Sequence, residues 1–201
     1  MDGLQLLKQL ATESIKLVFF DPQYQGSLGK LKYGRNCRLK ARRKLPQMRD
    51  VLISEFLKEI ERVLQPSGHL MFWIDKYILC NDIKELMKGI NLQLVDLITW
   101  HKGKMGMGYR TRRTCEYLVI FQKPPIRAKG IWKFHNVPDV WSEKITGKNH
   151  THAKPIGLQK RLIETVTNES DIVVDPTSGG YSVLTSANEV RRNFLGCDLL
   201  G

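Results

Sequence analysis

The sequence contains no apolar run long enough to cross a membrane. Apolar runs such as residues 70–74 and 172–174 fall far short of the roughly 18 residues that a membrane-spanning helix needs. The first residues carry neither a basic segment nor a long apolar core, so we expect no secretory signal. These absences predict a cytoplasmic protein. Apolar residues still make up 42% of the chain, which is enough for a packed core and excludes a disordered chain.

Cysteine is scarce, and the cysteines are scattered. No two of them form a C-x-x-C pair, and none has a histidine at zinc-finger spacing. A chain of this size with a real core does not require disulfides, so we expect free thiols. Histidines offer no helical i, i+4 pair, and we therefore predict no metal site. The residues concerned are Cys37, Cys80, Cys115, Cys197, His135, His150 and His152.

Acidic residues are outnumbered, at 20 against 32 lysines and arginines, which gives a net charge of +12. A charge of this size predicts a polyanionic partner but says nothing about the fold. A basic run is usually a solvated surface. Here, however, no acidic residue occurs between Pro22 and Arg49, and a second basic cluster follows position 109. We predict contacts to nucleic-acid phosphates from Lys30, Lys32, Arg35, Arg38, Arg42, Arg43, Lys44, Arg110, Arg112 and Arg113.

Apolar periodicity predicts strands that alternate with helices over a single domain, residues 1–201. This alternation is typical of an α/β fold with a doubly wound, mostly parallel sheet and helices on both faces. One strand is expected to be antiparallel, in a hairpin of 94–100 with 117–122. The other predicted strands are 15–20, 70–74, 171–174 and 193–197, and the predicted helices are 4–10, 48–64, 78–90, 158–167 and 182–190.

Acidic residues follow three of the predicted strands, at Asp21, Asp175 and Asp198. In doubly wound sheets, ligands bind beyond the carboxyl ends of the strands. Asp21 is followed by Pro22, whose carbonyl is free, and then by Tyr24 after one residue. A carboxylate and a neighbouring carbonyl can accept both hydrogens of a planar amino group, and an aromatic ring can stack on the ring that carries it. The alternative is an ordinary Asp-Pro turn.

A second turn follows the strand that ends near Asp175. Gly179 and Gly180 precede a predicted helix, so backbone N–H groups and the helix N-terminus can face a polar ligand. About twenty residues further along, Asp198 follows the next strand, where an acidic side chain can hold ribose hydroxyls. The glycine pair alone is weak evidence, and the spacing to Asp198 strengthens it.

These residues together resemble a known family. The sequence Asp21-Pro22-Gln23-Tyr24 resembles the D-P-P-Y motif of S-adenosylmethionine-dependent amino-methyltransferases that act on DNA. The order of the other blocks is similar to the β-class of that family, in which the catalytic motif precedes the cofactor-binding motif. The resemblance covers nearly the whole chain. The further blocks are 100–102, 106–110, 116–118, 150–155 and 175–182.

The resemblance implies a Rossmann-like methyltransferase fold and a role for each motif residue. Asp21, Pro22 and Tyr24 would be catalytic, and S-adenosylmethionine would be the cofactor. Lys154 would pair with the carboxylate of that cofactor. The implied cofactor-binding residues are His152, Lys154, Asp175, Thr177, Ser178, Gly179, Gly180, Ser182 and Asp198.

The sequence departs from the family pattern at several positions. Gln23 replaces the second proline, Thr151 a proline, Thr177 a phenylalanine and Tyr181 the second glycine. The Asp, Pro and Tyr of the catalytic motif are retained, so we expect activity. Because the glycine motif is altered, we expect these departures to affect cofactor affinity more than any other property.

The implied function is methylation of the N6 amine of a flipped-out adenine in double-stranded DNA, in a prokaryotic or phage restriction-modification setting. Alternatives are methylation of cytosine N4 or of RNA adenine, and a catalytically inactive nucleic-acid-binding module of the same fold. Asp at the first motif position favours adenine by resemblance. Residues 124–149 are the candidate target-recognition segment. Because that segment is short, a homodimer is a further hypothesis.

Overall fold

The structure is a computed structural model that describes residues 2–24, 48–81, 83–106, 111–145 and 153–198. Several predicted site residues lie outside these described ranges. They are Lys30, Lys32, Arg35, Arg38, Arg42, Arg43, Lys44, Arg110 and His152.

Strands and helices alternate along the described chain. The helices are α1 (Gly3–Gln9), α2 (Asp50–Val63), α3 (Lys76–Asn81), α4 (Ile83–Leu86), α5 (Ile156–Val166) and α6 (Ser182–Glu189). The strands are β1 (Ile15–Phe20), β2 (Leu64–Ile74), β3 (Gln93–His101), β4 (Cys115–Gln122), β5 (Val140–Ser142), β6 (Ile172–Asp175) and β7 (Asn193–Gly196).

The described strands form one seven-stranded sheet in the order β5-β3-β4-β2-β1-β6-β7. β1 pairs in parallel with both β2 and β6, and β6 pairs in parallel with β7. β4 is antiparallel to both β2 and β3, whereas β3 and β5 are parallel. Among the described strands, β4 is therefore the single antiparallel one. The predicted fold class is confirmed.

Helices cover both faces of the sheet. α2 is amphipathic, with Ile53, Phe56, Leu57, Ile60 and Val63 on one buried stripe. That stripe packs with α1 on one face, and α5 and α6 pack on the other. β1 lies between the two layers and is buried on both faces, as a central parallel strand requires. Within the described residues, no helix is long and apolar enough to span a membrane.

Three element boundaries differ from the sequence prediction. β2 begins at Leu64, directly after α2, so 66–68 lie within the strand rather than between the predicted helix 48–64 and the predicted strand 70–74. The pairing of β1 with β2 shifts register across this stretch, where Ser67 has a positive φ of 62°, so the strand is irregular there. The predicted helix 78–90 is two short helices, α3 and α4, and the segment 124–149 contains the short strand β5.

The order in which successive strands are added to the sheet reverses between β1 and β6, although the two strands are parallel. The segment after β1 leads to β2 on one side, whereas β6 joins β1 from the other side and leads on to β7. Such a switch point opens a crevice beyond the carboxyl ends of the two strands, which is where ligands bind in doubly wound sheets. Asp21 follows β1 and Asp175 ends β6, so both acids lie at this crevice.

Candidate active site

Asp21 is held at the crevice by a rigid strand end. The preceding Phe20 is fully buried and stacks on Phe56 and Phe72, at ring-centroid distances of 5.2 and 5.5 Å. Because that ring is fixed from both sides, β1 ends at a defined place and Asp21 emerges there. Pro22 is buried as well, so the turn cannot swing into solvent.

Tyr24 completes the turn after β1. Its hydroxyl donates to the carbonyl of Trp73 at 3.2 Å, and its ring lies 6.3 Å from Phe72. The backbone of Met48 returns to the turn, where its N–H donates to the Gln23 carbonyl at 2.8 Å. The turn is thus tied to β2 and to the segment before α2.

The turn after β6 is built around Asp175. One carboxylate oxygen, Oδ1, accepts the Thr177 N–H at 3.0 Å, and the Ser178 hydroxyl donates to the Asp175 carbonyl at 2.7 Å. Ser178 fits because Gly196 of β7 has no side chain: a Cβ there would meet Ser178 Oγ at 2.3 Å. The Ser178 N–H also donates to the Cys197 carbonyl at 3.0 Å, so β6 and β7 hold the turn together.

The two turns are joined directly. The Asp21 N–H donates to Thr177 Oγ1 at 3.1 Å. Helix α1 packs on the same turn so closely that a Cβ on Gly3 would lie 1.9 Å from the Pro176 carbonyl oxygen. Asp2 caps that helix by accepting the Leu4 N–H at 3.1 Å. Helix α1 therefore packs directly against the turn after β6.

A pocket opens between the two turns. Residues predicted from the sequence line it: Asp21, Lys154, Asp175, Ser178, Gly179, Gly180 and Ser182. Gly179 adopts a positive φ of 46° and Tyr181 one of 53°, which aims the turn into α6. Tyr181 is the N-cap residue of α6 and provides no side-chain hydrogen bond to the helix. The N-terminus of α6 is thus without a side-chain cap beside the pocket.

Lys154 lies at the centre of a chain of ion pairs. Its Nζ is 3.0 Å from Asp21 Oδ2 and 3.0 Å from Glu116 Oε2, and it lies 4.8 Å from the centroid of the Trp73 ring. The other oxygen of Glu116, Oε1, is 3.1 Å from Lys102 Nζ. The structure thus places Lys154 against a predicted catalytic residue. Its predicted contact with the cofactor carboxylate stays a prediction.

Strand direction explains why these residues meet. β4 runs opposite to its neighbours, so its first residues lie at the edge where β1, β2 and β3 end. Glu116 is opposite Trp100 of β3, and Tyr117 is opposite Ile74 of β2. Lys102 follows β3 at the same edge. One antiparallel strand therefore brings an acid to an edge that otherwise collects the carboxyl ends of parallel strands.

Burial and the ion pairs shift the acidities at this edge. Burial raises the pKa of Asp21, and the Lys154 ammonium offsets this only in part. Burial also opposes ionisation of Glu116, but the Lys154 and Lys102 ammonium groups outweigh it and lower the Glu116 pKa to about 2. Burial works against the Lys154 ammonium, yet Asp21 and Glu116 raise its pKa overall. Lys154 and Glu116 are therefore charged at neutral pH.

Asp175 and Tyr24 lie in an environment that disfavours negative charge. Burial raises the pKa of Asp175 to about 7, with the Thr177 N–H acting in the opposite direction and Asp21 adding to the rise. Burial, and then Asp21, Asp75 and Asp50, raise the pKa of Tyr24 well above its ordinary value. Tyr24 is therefore a neutral phenol, and Asp175 titrates near neutrality.

Three residues that the sequence analysis assigned no role also line or support the pocket. Trp73 lines it, and its buried Nε1–H has no hydrogen-bond partner among the described residues. Gln159 is fully buried in α5, donates to Ser182 Oγ at 3.2 Å and accepts from Ser186 Oγ at 3.1 Å. Glu116 reaches Asp21 through Lys154. Glu116 belongs to the sequence block 116–118 that resembles the family, but the sequence of that block does not reveal the direction of its strand, which brings Glu116 to this edge.

The remaining predicted residues in the described ranges lie outside the pocket lining. Asp198 lies just beyond β7, next to the buried Cys197. Arg112 is exposed, whereas Arg113 pairs with Asp75 at 2.9 Å and lies 5.8 Å from the Tyr77 ring. Among the described residues, no group of three or more His, Cys, Asp or Glu is placed to hold a metal ion.

Residues 124–145, the described part of the candidate recognition segment, pack against the core through two tryptophans. Trp132 Nε1 donates to His69 Nε2 at 3.0 Å, and Trp141 Nε1 donates to Glu143 Oε2 at 2.7 Å. Burial lowers the pKa of His69 to about 4, so it is the neutral acceptor that this bond needs. Both rings pack on the face covered by α5 and α6. The role of this segment in target recognition stays a prediction.

Comparison with known proteins identifies the family. The family model described as DNA methylase, for N6 and N4 methyltransferases, matches residues 15–200. The type II methyltransferase M.HhaII of Haemophilus parahaemolyticus is 50% identical over 203 residues, which cover 100% of this chain and 89% of that protein. The type II methyltransferase M.HpaI of Haemophilus parainfluenzae is 26% identical, over 98% of this chain and 68% of that protein.

Solved structures show the same fold. The PvuII DNA methyltransferase, described as cytosine-N4-specific, matches with a TM-score of 0.73 and 17% identity, over 98% of this chain and 79% of that one. TTHA0409 of Thermus thermophilus, a DNA modification methylase in complex with S-adenosyl-L-methionine, matches with a TM-score of 0.64 and 21% identity, over 98% and 87%. The chain belongs to the DNA methylase family of S-adenosylmethionine-dependent N6/N4 amino-methyltransferases.

Proposed function

We propose that the protein transfers a methyl group from S-adenosylmethionine to the N6 amine of an adenine in double-stranded DNA. One observation carries this proposal: Asp21 lines the same pocket as Asp175, Gly179 and Ser182. A carboxylate that can bind an amine is therefore adjacent to the turn predicted to hold the methyl donor. The choice of adenine rests on Asp at the first motif position, by family resemblance.

The pocket suits the proposed cofactor chemically. S-adenosylmethionine carries a sulfonium cation, an ammonium and a carboxylate. The carboxylate of Asp175 can pair with a positive charge, and the uncapped N-terminus of α6 favours a negative one. The Nε1–H of Trp73, which has no partner among the described residues, offers a further donor on the pocket wall. These residues, with Asp198 for the ribose, are the ones that we assign to the cofactor.

The geometry also suits activation of an amine. An adenine N6 amine is a poor nucleophile because its lone pair is delocalised into the ring. The Asp21 carboxylate and the Pro22 carbonyl would accept its two hydrogens and so direct the lone pair towards the methyl group. Bound S-adenosylmethionine supplies an activated methyl, since the C–S bond breaks as the N–C bond forms and sulfur keeps the electron pair. Because burial raises the pKa of Asp21, its carboxyl can accept the proton that the nitrogen then loses.

Tyr24 would hold the target base. Duplex geometry buries the amine, so the base must be flipped out and stacked on an aromatic side chain. The Tyr24 ring is fixed by its hydroxyl bond to the Trp73 carbonyl and by contact with Phe72. A ring held in this way loses little freedom when a base stacks on it.

The DNA backbone would run along the carboxyl edge of the sheet. Arg112 is exposed at that edge, and Tyr24, which precedes the predicted basic run in the sequence, follows β1 at the same edge. Arg113 is already paired with Asp75, so in contact with DNA its guanidinium would be shared between Asp75 and a phosphate. Phosphate contacts of this kind supply affinity without sequence information.

The segment 124–149 would read the target sequence, and a homodimer would supply the second half of a short recognition region. The protein would act in the cytoplasm of a bacterial or phage-infected cell. Sedimentation with and without duplex DNA tests the dimer, since a monomer under both conditions would refute it.

Incubation with labelled S-adenosylmethionine and either unmethylated duplex DNA or RNA, in parallel, followed by mass spectrometry of the digested nucleosides, tests the reaction. N6-methyl-2′-deoxyadenosine from the digested DNA is the expected product. N4-methylcytosine would keep the enzyme class and overturn the choice of base, and product in RNA alone would overturn DNA as substrate. Tight DNA binding without any product would identify an inactive binding module.

A further inference from the structure

Four charged side chains form a continuous chain that ends at the proposed catalytic carboxylate. Lys102 Nζ lies 3.1 Å from Glu116 Oε1, Glu116 Oε2 lies 3.0 Å from Lys154 Nζ, and Lys154 Nζ lies 3.0 Å from Asp21 Oδ2. Charges therefore alternate in sign from Lys102 to Asp21. Lys154 is the most buried of the four, with 12% of its side chain exposed.

Glu116 is linked to Asp21 through Lys154. Glu116 is not among the described residues that line the pocket, and its two oxygens are each engaged by a different lysine. Lys154 lines the pocket and divides its ammonium between two carboxylates at equal distances. Because Glu116 holds one side of Lys154, only part of the ammonium faces Asp21, whose nearest oxygen is Oδ2.

We propose that Glu116 is a positioning residue for methyl transfer: by holding one side of Lys154, it limits the hold of Lys154 on Asp21 and keeps the Asp21 carboxylate available to the target amine. This inference rests on the proposed role of Asp21. Without Glu116, Lys154 has one carboxylate partner left, and the whole of the buried ammonium pairs with Asp21. The target amine then competes with Lys154 for its acceptor.

The lysine at the other end of the chain has the opposite effect. When Lys102 loses its charge, Glu116 turns both oxygens to Lys154 and draws it away from Asp21. The other groups that face Asp21 are Asp175 of β6 and the phenol of Tyr24. Among the described contacts, neither of these groups is bonded to Glu116 or Lys102, so the two substitutions remove no hydrogen bond of either.

These opposite effects give an experimental signature. Asp21 must be ionised to accept an amine hydrogen, so transfer slows below its pKa. The negative charge of Glu116 raises the pKa of Asp21, and the positive charge of Lys154 lowers it. Removal of the Glu116 charge should therefore move the acidic limb of the rate profile to lower pH. Removal of the Lys102 charge should move it to higher pH.

The test is single-turnover methyl transfer at saturating S-adenosylmethionine and DNA, measured across pH for wild type, Glu116→Gln and Lys102→Met. We expect Glu116→Gln to lower the plateau rate about ten-fold, with cofactor and DNA dissociation constants within about two-fold of wild type. The acidic limb should shift by about half a pH unit or more, in opposite directions for the two variants.

Glu13→Gln is the matched control, because Glu13 pairs with a similarly buried lysine, Lys123, at 3.2 Å and is remote from the pocket. It should leave rate and pH profile unchanged. Thermal unfolding of each variant checks that it folds. Slower transfer by Glu116→Gln and Lys102→Met without a shift of the acidic limb would mean that the four charged residues have only a structural role, and would overturn the inference. Wild-type rates and pH profiles in both variants would overturn it as well.

Asp21→Asn separates this inference from the proposed function. An inactive Asp21→Asn with an unaffected Glu116→Gln would overturn the positioning role of Glu116 alone. An active Asp21→Asn would overturn the proposed function, and with it the inference.

Discussion

The backbone N–H of Asp21 donates to the hydroxyl oxygen of Thr177 at 3.1 Å, so the turn after β1 is hydrogen-bonded to the turn after β6. Thr177 also orients Asp175, whose Oδ1 accepts the Thr177 N–H at 3.0 Å. One threonine therefore sets the spacing between the proposed catalytic and cofactor turns. This gives a structural reason for threonine at a position where the sequence departs from the family pattern.

Thr177→Val should slow methyl transfer, because valine has nearly the same shape but cannot accept the Asp21 N–H. A lost hydrogen bond of this kind is worth about 1 kcal/mol, or roughly five-fold in rate. Thr177→Ser keeps the hydroxyl and should retain most of the activity. Single-turnover rates at saturating cofactor measure the effect. Equal rates for the valine and serine variants would show that the bond does not matter.

Cofactor affinity should rise with pH through neutrality. Burial raises the pKa of Asp175 to about 7, against the opposing Thr177 N–H. Below that pH the carboxyl is neutral and does not attract the positively charged cofactor. Calorimetric dissociation constants should therefore weaken by about ten-fold for each pH unit below about 7, the limit for one coupled proton.

Asp175→Asn supplies the control for this pH dependence. It should bind the cofactor weakly at every pH, with a nearly flat profile. A wild-type affinity that is constant between about pH 6 and about pH 8 would contradict the assignment of Asp175 to a cationic part of the cofactor.

Acid should destabilise the protein through His69. Burial lowers the pKa of His69 from 6.5 to about 4, and its neutral Nε2 accepts the Trp132 N–H. The unfolded state therefore binds more protons than the folded state in that window, and stability falls as the pH drops through it. The loss amounts to about 3 kcal/mol when the whole window is crossed.

Urea unfolding of wild type and His69→Gln at several pH values measures this contribution. The comparison must be a difference, because the raised pKa of Asp175 contributes with the opposite sign across the whole of this window. The free-energy difference between wild type and His69→Gln should shrink on acidification. A constant difference would contradict the neutral, buried state of His69.

Arg112→Gln should weaken DNA binding equally for all sequences. Each phosphate contact that is lost lowers the slope of log affinity against log salt by about 1. Arg191→Gln is a suitable control, because Arg191 is exposed at the opposite, amino edge of the sheet, just before β7. Affinity measured over a salt series separates the two. Equal slopes for both variants would remove Arg112 from the interface.

The parts of the site that follow strand ends could be predicted from the sequence. Asp21 and Asp175 each follow an apolar strand, and carboxyl ends of parallel strands meet at one edge. The seven-stranded order and the antiparallel hairpin agree with the predicted fold class. Local patterns were sufficient here, because each acid is next to its strand in the chain.

The parts that depend on pairing could not be predicted. Glu116 reaches Lys154 because β4 runs against its neighbours, and strand direction is a property of the whole sheet. Trp73 looked like a core residue of a buried strand, and its place on the pocket wall follows from its position at the end of β2. The irregular stretch around Ser67 was not predicted as part of a strand, because proline and glycine at 66 and 68 also mark turns.

The most direct test of the account is methyl transfer by Asp21→Asn and Asp21→Ala, measured with cofactor binding on the same preparations. The amide cannot accept the amine hydrogens as a carboxylate does, so we expect both variants to lose transfer by at least about a thousand-fold while they bind S-adenosylmethionine nearly as wild type. Transfer to duplex DNA at a rate close to that of wild type would contradict the account.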